Sequence, residues 1–402
     1  MKYLMLVCEQ MADEPLADLE ERTPLEAAKT PFMDLLAKKG RLGKVSFTPR
    51  ELPATPDVAC LSLLGFDPRQ FYTGVAPLEA IAMGISLNDN EVAFRCDLVT
   101  VLDDHLVDVN ASLISDREAG LLIGDLNKKL SNPKVRFYPG DGYKNILVVS
   151  DPEVADNLDE LDCVPPQTLI GQKFVKYLPK GKGAALLTNL MDRSKEILEN
   201  HEINRVRIDL HENPANMIWP WGQGKRPKTP SFAERFHLEG AVISDEDFVK
   251  GIAKTLSLAI EKNIEKTVAQ KDFVLLYMAA GAEFCQARDL KSKIRFIEHF
   301  DATVVGPVLK ILERWPDHRL CICADYAASL MKKASLHDPV PFLMEGKGIE
   351  LDGAEVFNEK TAFQTKRVLD EGHRFMESFL ATTRPSVASS AVPREKTRGL
   401  EK

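Results

Sequence analysis

The sequence predicts an α/β fold, with a mostly parallel sheet covered on both faces by helices and interrupted by a smaller α+β insertion. Continuous apolar runs of strand length recur at Lys2 to Val7, Asp272 to Met278 and Arg319 to Ala324, which suits strands buried on both faces. Segments with helical apolar spacing alternate with them, the rhythm that builds crossovers between parallel strands. Hairpin-like material between about 105 and 180 breaks that rhythm. The expected division is a core of residues 1–104 and 181–383, an inserted α+β domain at 105–180, and a disordered tail at 384–402, where Pro, Ser and charged residues replace the apolar ones.

Each element has a local reason. Leu25 to Lys39 is helical by spacing, with Thr23 as N-cap, Pro24 at the first position and Gly40 just past the end. A short helix over about Asp57 to Leu64 stops at Gly65. Val92 to Leu102 is strand-like, and so is Val135 to Val149 around a Pro139-Gly140-Asp141-Gly142 turn. Ala185 to Asn200 is an amphipathic helix, and Ser244 with Asp247 forms a near capping box ahead of a helix over Asp245 to Ile260. A long helix covers Leu290 to Leu312, Pro339 to Met344 is a strand, and a last helix lies around Ala362 to Leu380.

Composition narrows the function class. A chain of 402 residues with 44% apolar and 28% charged residues has the balance of a globular protein with a sizeable core, which excludes bulk disorder. A formal charge of −8 and a pI near 5.6 give no basic field for nucleic acid or an anionic membrane. No apolar run approaches the ~20 residues that cross a bilayer, so the expected compartment is the cytoplasm. Seven cysteines, an odd number with no Cys-x-x-Cys spacing, read as buried free thiols.

In an open parallel sheet, ligands gather beyond the carboxyl ends of the strands. The loops that matter are therefore Cys8 to Asp13, Ala279 to Phe284 and Asp325 to Ser329. Those loops and their surroundings contain Met11 to Asp13 (MAD), Thr23 to Pro31 (TPLEAAKTP), Asp57 to Pro68 (DVACLSLLGFDP), Tyr72 to Ala80 (YTGVAPLEA), Asn213 to Gly224 (NPANMIWPWGQG), Gly240 to Ser244 (GAVIS) and Asp338 to Phe342 (DPVPF). In number and order these segments resemble the archaeal-type 2,3-bisphosphoglycerate-independent phosphoglycerate mutases of the alkaline phosphatase superfamily, over nearly the whole chain up to about residue 380. The resemblance implies a doubly wound sheet of alkaline-phosphatase type with an inserted substrate-binding domain. It also implies the family chemistry: two divalent ions, usually manganese or similar, held by Asp and His, and a Ser at a helix N-terminus that carries the phosphoryl group between the 2- and 3-positions of glycerate.

Residue by residue, most of that machinery is replaced. Glu9 stands where the family has a ligand Asp, and Pro56 stands where it has the nucleophilic Ser. Ala282 and Gln286 take the positions of an Asp and a His. Asp325 is kept, while Tyr326 and Ser335 take two His positions. On the substrate side Leu113 replaces a His and Val75 an Arg, whereas Arg95 and Arg205 persist. Proline has neither a hydroxyl to attack phosphorus nor an N–H to donate to a phosphate oxygen. Ala cannot ligate, and a neutral Gln oxygen is a poor substitute for imidazole.

The expectation is a mutase homologue without catalytic residues, its cleft kept for a small anionic ligand, with Arg95, Arg205 and Asp57 as binding residues, or for a protein partner. No metal is expected, or at most one residual Mn or Mg at Glu9 and Asp325. The alternative is an active mutase, or a repurposed metal-dependent phosphotransferase or hydrolase that uses Thr55 or relocated ligands. Against catalysis by Thr55, Thr55-Pro56-Asp57 also reads as an N-cap, first-turn proline and first-turn acid. Arg95 and Arg205 also have a structural reading, pairing with acids such as Asp97 or Asp209. The WPWGQG segment reads chiefly as packing and turn, with unusual backbone angles at Gly222 and Gly224.

Overall fold

The computed structural model describes residues 1–150, 155–279 and 288–381. Ala282, Gln286 and the expected tail at 384–402 lie outside the described residues. The chain enters a central sheet through β1 (Lys2–Cys8) and β2 (Gly40–Val45). A second sheet follows, built from β3 (Val92–Leu102), β4 (His105–Asp108), β5 (Val135–Tyr138), β6 (Ile146–Val149) and β7 (Met217–Gly224). The chain then returns through β8 (Gly240–Ile243), β9 (Ala259–Ile260), β10 (Phe273–Met278) and β11 (His318–Cys323). A hairpin of β12 (Ala327–Ser329) and β13 (Ala334–Leu336) precedes β14 (Val340–Gly346) and β15 (Val368–Leu369).

The central strand order is β15-β2-β14-β11-β1-β10-β8-β9. β1 is parallel to β10 and β11, β10 to β8, and β8 to β9, while β14 runs antiparallel to β11 and β2. The expected mostly parallel α/β sheet is therefore present. Its middle strands are buried along nearly their whole length because helices cover both faces, which is why they read as continuous apolar runs. Six helices matter below: α1 (Pro56–Leu63), α2 (Val75–Ala82), α3 (Asp116–Leu130), α4 (Ala184–Leu198), α5 (Asp247–Thr255) and α6 (Leu290–Phe300).

Several expected helices are shorter than their apolar pattern. Leu25 to Lys39 divides into Pro24–Ala27, with a full Thr23/Glu26 capping box, and Pro31–Ala37, because Pro31 cannot sit inside a helix. α5 starts at Asp247 rather than Asp245, since the Ser244 hydroxyl accepts from the Glu246 N–H instead of capping the helix. It ends at Thr255, where Ser257 turns left-handed (φ 58°) and the chain joins β8 as β9. The segment over Leu290 to Leu312 is one α-helix to Phe300, a wider π turn over Asp301–Val305 and a second helix over Gly306–Leu312.

The second sheet has its own apolar core, running from Val92 to Trp219 and including buried faces of α3 and α4. β3 pairs with β6 on one side and β7 on the other, so this sheet draws on strands outside 105–180. An apolar strand does not reveal from its residues which sheet it will join. α2 lies between the layers: Ala76 and Ala80 pack with Ala93, Ile146 and Val148 of the second sheet. On its other side, a Cβ at Gly251 of α5 would lie 2.0 Å from the Leu78 carbonyl oxygen.

Candidate functional site

The register of the central sheet brings distant carboxylates together. Val7 of β1 stands level with Tyr277 of β10 and Cys323 of β11, so the residues just beyond these strands meet at one edge. Glu9, Asp13 and Asp325 are all buried there. The Asp325 carboxylate accepts from the Tyr277 hydroxyl at 2.6 Å, from the Tyr326 N–H at 2.9 Å and from the Gln10 N–H at 3.2 Å. Gln10 reaches this position in a left-handed conformation, φ 54°. Glu9 accepts from the Gln10 side-chain amide at 3.3 Å and from the Tyr326 hydroxyl at 3.4 Å.

Burial raises the carboxyl of Asp325 to about 6, opposed by the hydrogen bonds from Tyr277 and the backbone amides. Burial first, then the charges of Asp325 and Glu9, push the Tyr277 phenol well above its ordinary range, so it acts as a neutral donor. The Cys60 thiol is raised by burial and then by Asp325 and Asp57, which places α1 beside the same cluster.

A second polar knot adjoins the first. The Lys293 ammonium, buried on α6, contacts Asp13 Oδ2 and the Ala328 carbonyl oxygen, both at 2.8 Å. The Asp13 N–H donates to Glu359 at 3.2 Å, and the Thr23 hydroxyl donates to the other Glu359 oxygen at 2.6 Å. Burial raises Glu359 to about 7 against those hydrogen bonds. Tyr277, Lys293 and Glu359 were not singled out from the sequence. Lys293 did leave a signal: it sits on the stripe Leu290, Lys293, Ile297, Phe300, where helical spacing turns a lysine toward the core.

At the start of α1, Pro56 is the first helical residue and Thr55 the N-cap. The Thr55 backbone oxygen accepts from the Ala59 N–H at 3.0 Å, but its side chain makes no capping bond. Its hydroxyl is buried with no hydrogen-bond partner among the described residues, so the expected N-cap is one of position only. Asp57, also buried, accepts from the Tyr72 hydroxyl.

The remaining candidates lie elsewhere. Arg95 on β3 is buried, with its Nε 3.3 Å from Asp97 and 3.4 Å from Glu79. Its guanidinium lies over the Trp221 ring at 4.7 Å, and the Trp221 indole N–H donates to Asp97 at 2.8 Å. WPWGQG is thus a packing strand, β7; Gly222 takes a left-handed angle, whereas at Gly224 the constraint is close approach, since a Cβ there would meet the Thr73 carbonyl oxygen at 1.8 Å. Arg205 is exposed on the helix Glu202–Asp209, and its neighbour Arg207 is the buried one, bonded to Glu118 at 3.1 Å. Ser335 is exposed on β13, and Leu113 is exposed in a run of three left-handed residues, Ala111 to Leu113. A cavity of about 160 Å³ borders Glu79, lined also by Asp141, Asp245, Glu246, Asp247 and Lys144, so its walls are mainly anionic.

Comparison with known proteins places this geometry. Residues 37–204 match the family model of 2,3-bisphosphoglycerate-independent phosphoglycerate mutase, and residues 257–368 that of the metalloenzyme superfamily. A probable 2,3-bisphosphoglycerate-independent phosphoglycerate mutase of Geobacter sulfurreducens is 37% identical, covering 94% of this chain and all of the relative. The chain belongs to the 2,3-bisphosphoglycerate-independent phosphoglycerate mutase family. The mutase of Methanothrix thermoacetophila is also 37% identical, over 95% of this chain and all of its own length. Two solved structures share the fold: the PH0037 protein from Pyrococcus horikoshii, with a TM-score of 0.76, 23% identity and coverage of 94% and 96%, and a cofactor-independent phosphoglycerate mutase from Thermoplasma acidophilum, with 0.59, 24%, and 94% and 99%.

The mutase family implies a pair of divalent cations at this edge. The donors among the described residues do not fit them. Of the family's ligand positions among the described residues, Glu9 and Asp325 offer carboxylates, Tyr326 a phenol already turned toward Glu9, and Ser335 an exposed hydroxyl. Among the described residues no three His, Cys, Asp or Glu side chains are grouped to hold a metal ion. The Asp325 oxygens are met by three protein donors, which leaves little of a carboxylate's lone-pair capacity for a cation.

Proposed function

We propose that this mutase-family chain does not interconvert 2- and 3-phosphoglycerate and uses its retained cleft or surface for binding. The observation that carries this is Pro56 as the first residue of α1. A residue there with neither hydroxyl nor N–H removes both the attacking oxygen and a donor to phosphate. Phosphoryl transfer depends on positioning and on neutralising the equatorial oxygens. Here Glu9, Asp57 and Asp325 bring negative charge, and Arg95 is already shared by Asp97 and Glu79. The anionic lining of the cavity beside Glu79 weighs against a small anion there and favours a protein partner as the ligand class. The cysteines among the described residues are free and buried or half-buried, which suits a reducing compartment, and we assign the chain to the cytoplasm.

The test is an assay of purified protein with both phosphoglycerates and a generic phosphate ester, manganese supplied; no turnover is expected. Turnover abolished by Glu9→Gln or Asp325→Asn overturns the proposal in favour of an ordinary mutase, the activity named for relatives at 37% identity. The Thr55 hydroxyl, without a hydrogen-bond partner among the described residues, favours one further reading, a repurposed transferase in which Thr55 attacks. Phosphate transfer lost in Thr55→Val supports that reading.

A further inference from the structure

We infer that the hydroxyls of Tyr277 and Tyr326, with the backbone amides of Gln10 and Tyr326, take the place of a divalent cation between Glu9 and Asp325, so that this edge is closed to metal by the protein's own side chains. Tyr277 comes from β10, Glu9 and Gln10 from the end of β1, and Asp325 and Tyr326 from the end of β11. All five are buried. Buried carboxylates require donors or a cation, and here donors from three strands supply the need. The Tyr277 hydroxyl is the shortest contact, 2.6 Å from Asp325 Oδ2, and its hydrogen takes one of that oxygen's two lone-pair directions. The two amides converge on Oδ1 at 2.9 and 3.2 Å. Tyr326 spans from Asp325, through its backbone N–H, to Glu9, through its hydroxyl at 3.4 Å, and so lies across the gap between the carboxylates. A hard divalent cation needs six or more oxygen or nitrogen donors around it, and phenol hydrogens aimed at the carboxylates repel it.

The site is thus latent, and removing the phenols and restoring an imidazole opens it. The inference deepens the reading of a non-transferring cleft but stands on Tyr277 and Tyr326, where that reading is carried by Pro56. Turnover without bound metal defeats that reading alone, and metal uptake without turnover defeats the inference alone.

The experiment uses the full chain, stripped with chelator, and follows free Mn²⁺ by electron paramagnetic resonance during titration, with melting temperature read in parallel. Expected is that wild type leaves equimolar Mn²⁺ free and melts unchanged with or without it. The variant Tyr277→Phe/Tyr326→His is expected to retain Mn²⁺ roughly tenfold more tightly or better, and Glu9→Gln added to it abolishes the gain. Wild type holding Mn²⁺ near one per chain, with loss in Glu9→Gln, overturns the inference, as does a double variant that folds and binds no more tightly than wild type. If circular dichroism finds the double variant unfolded, Tyr277→Phe alone is titrated, and the same gain or its absence decides.

Discussion

Thr55 carries a hydroxyl that is buried without a hydrogen-bond partner among the described residues, beside a proline that begins α1. An unmet buried polar group costs about 1–3 kcal/mol, and valine keeps the shape while removing it. Thr55→Val is therefore expected to raise unfolding free energy by about 1 kcal/mol in urea titration, with phosphate-ester turnover unchanged; a loss of stability would mean the hydroxyl has a partner. Lys293 is the opposite case, a buried cation held by Asp13 and the Ala328 carbonyl oxygen. Lys293→Met leaves the Asp13 carboxylate without this counter-ion, still accepting from the Glu14 and Leu330 N–H groups, and is expected to cost about 3–5 kcal/mol. Adding Asp13→Asn should recover part of that cost, because residues in contact are not additive. A double variant as unstable as the sum of the two singles would refute the pairing.

α2 and α5 meet more closely than side chains allow. The Leu78 carbonyl oxygen lies where a Cβ at Gly251 would be, and the Lys254 ammonium donates to the Ile81 and Ala82 carbonyl oxygens at 3.1 and 2.7 Å, closing the end of α2. Gly251→Ala gains helix propensity but overpacks this contact, and the second effect is larger because backbone cannot rotate away. The expected result is a loss of about 1–3 kcal/mol, read as a lower melting temperature; a variant that melts higher would show that the helices part without cost. Element identity was legible where a local signal existed, as at the Thr23 N-cap with Pro24 behind it and the apolar runs of β1, β10 and β11. Element ends were not legible where tertiary pairing decides them: Ala259 and Ile260 keep a helical spacing, yet β8 recruits them as a strand.

Across the whole molecule, the family positions pointed to Glu9, Asp325 and Tyr326 because those residues follow strands and lie in recognisable segments. Tyr277 and Glu359 were invisible because they reach the cluster through strand register and a fold that brings residue 359 to residue 13. For Arg95, expected as a binding residue, pairing with Asp97 was the legible alternative, but Glu79, the second acid on it, joins from α2 across the layers. That interlayer acid makes stability depend on pH. Burial raises Glu79 from its ordinary 4.5 to about 7 even though Arg95 opposes the shift. Its folded value is above its unfolded one, so between those limits the native chain holds a proton that the unfolded chain has released. The stabilisation is fully present below about pH 4.5 and is lost as pH rises through 7. Glu359, raised to about 7, and Asp325, raised to about 6, act in the same sense, so Glu79→Gln should reduce the slope without abolishing it. Urea unfolding of wild type and Glu79→Gln at about pH 5 and about pH 7.5 measures this: wild type is expected to lose more stability on the way up than the variant. Equal losses would mean that Arg95 keeps Glu79 ionised throughout, and that the layers are joined by a full ion pair and not by a protonated acid.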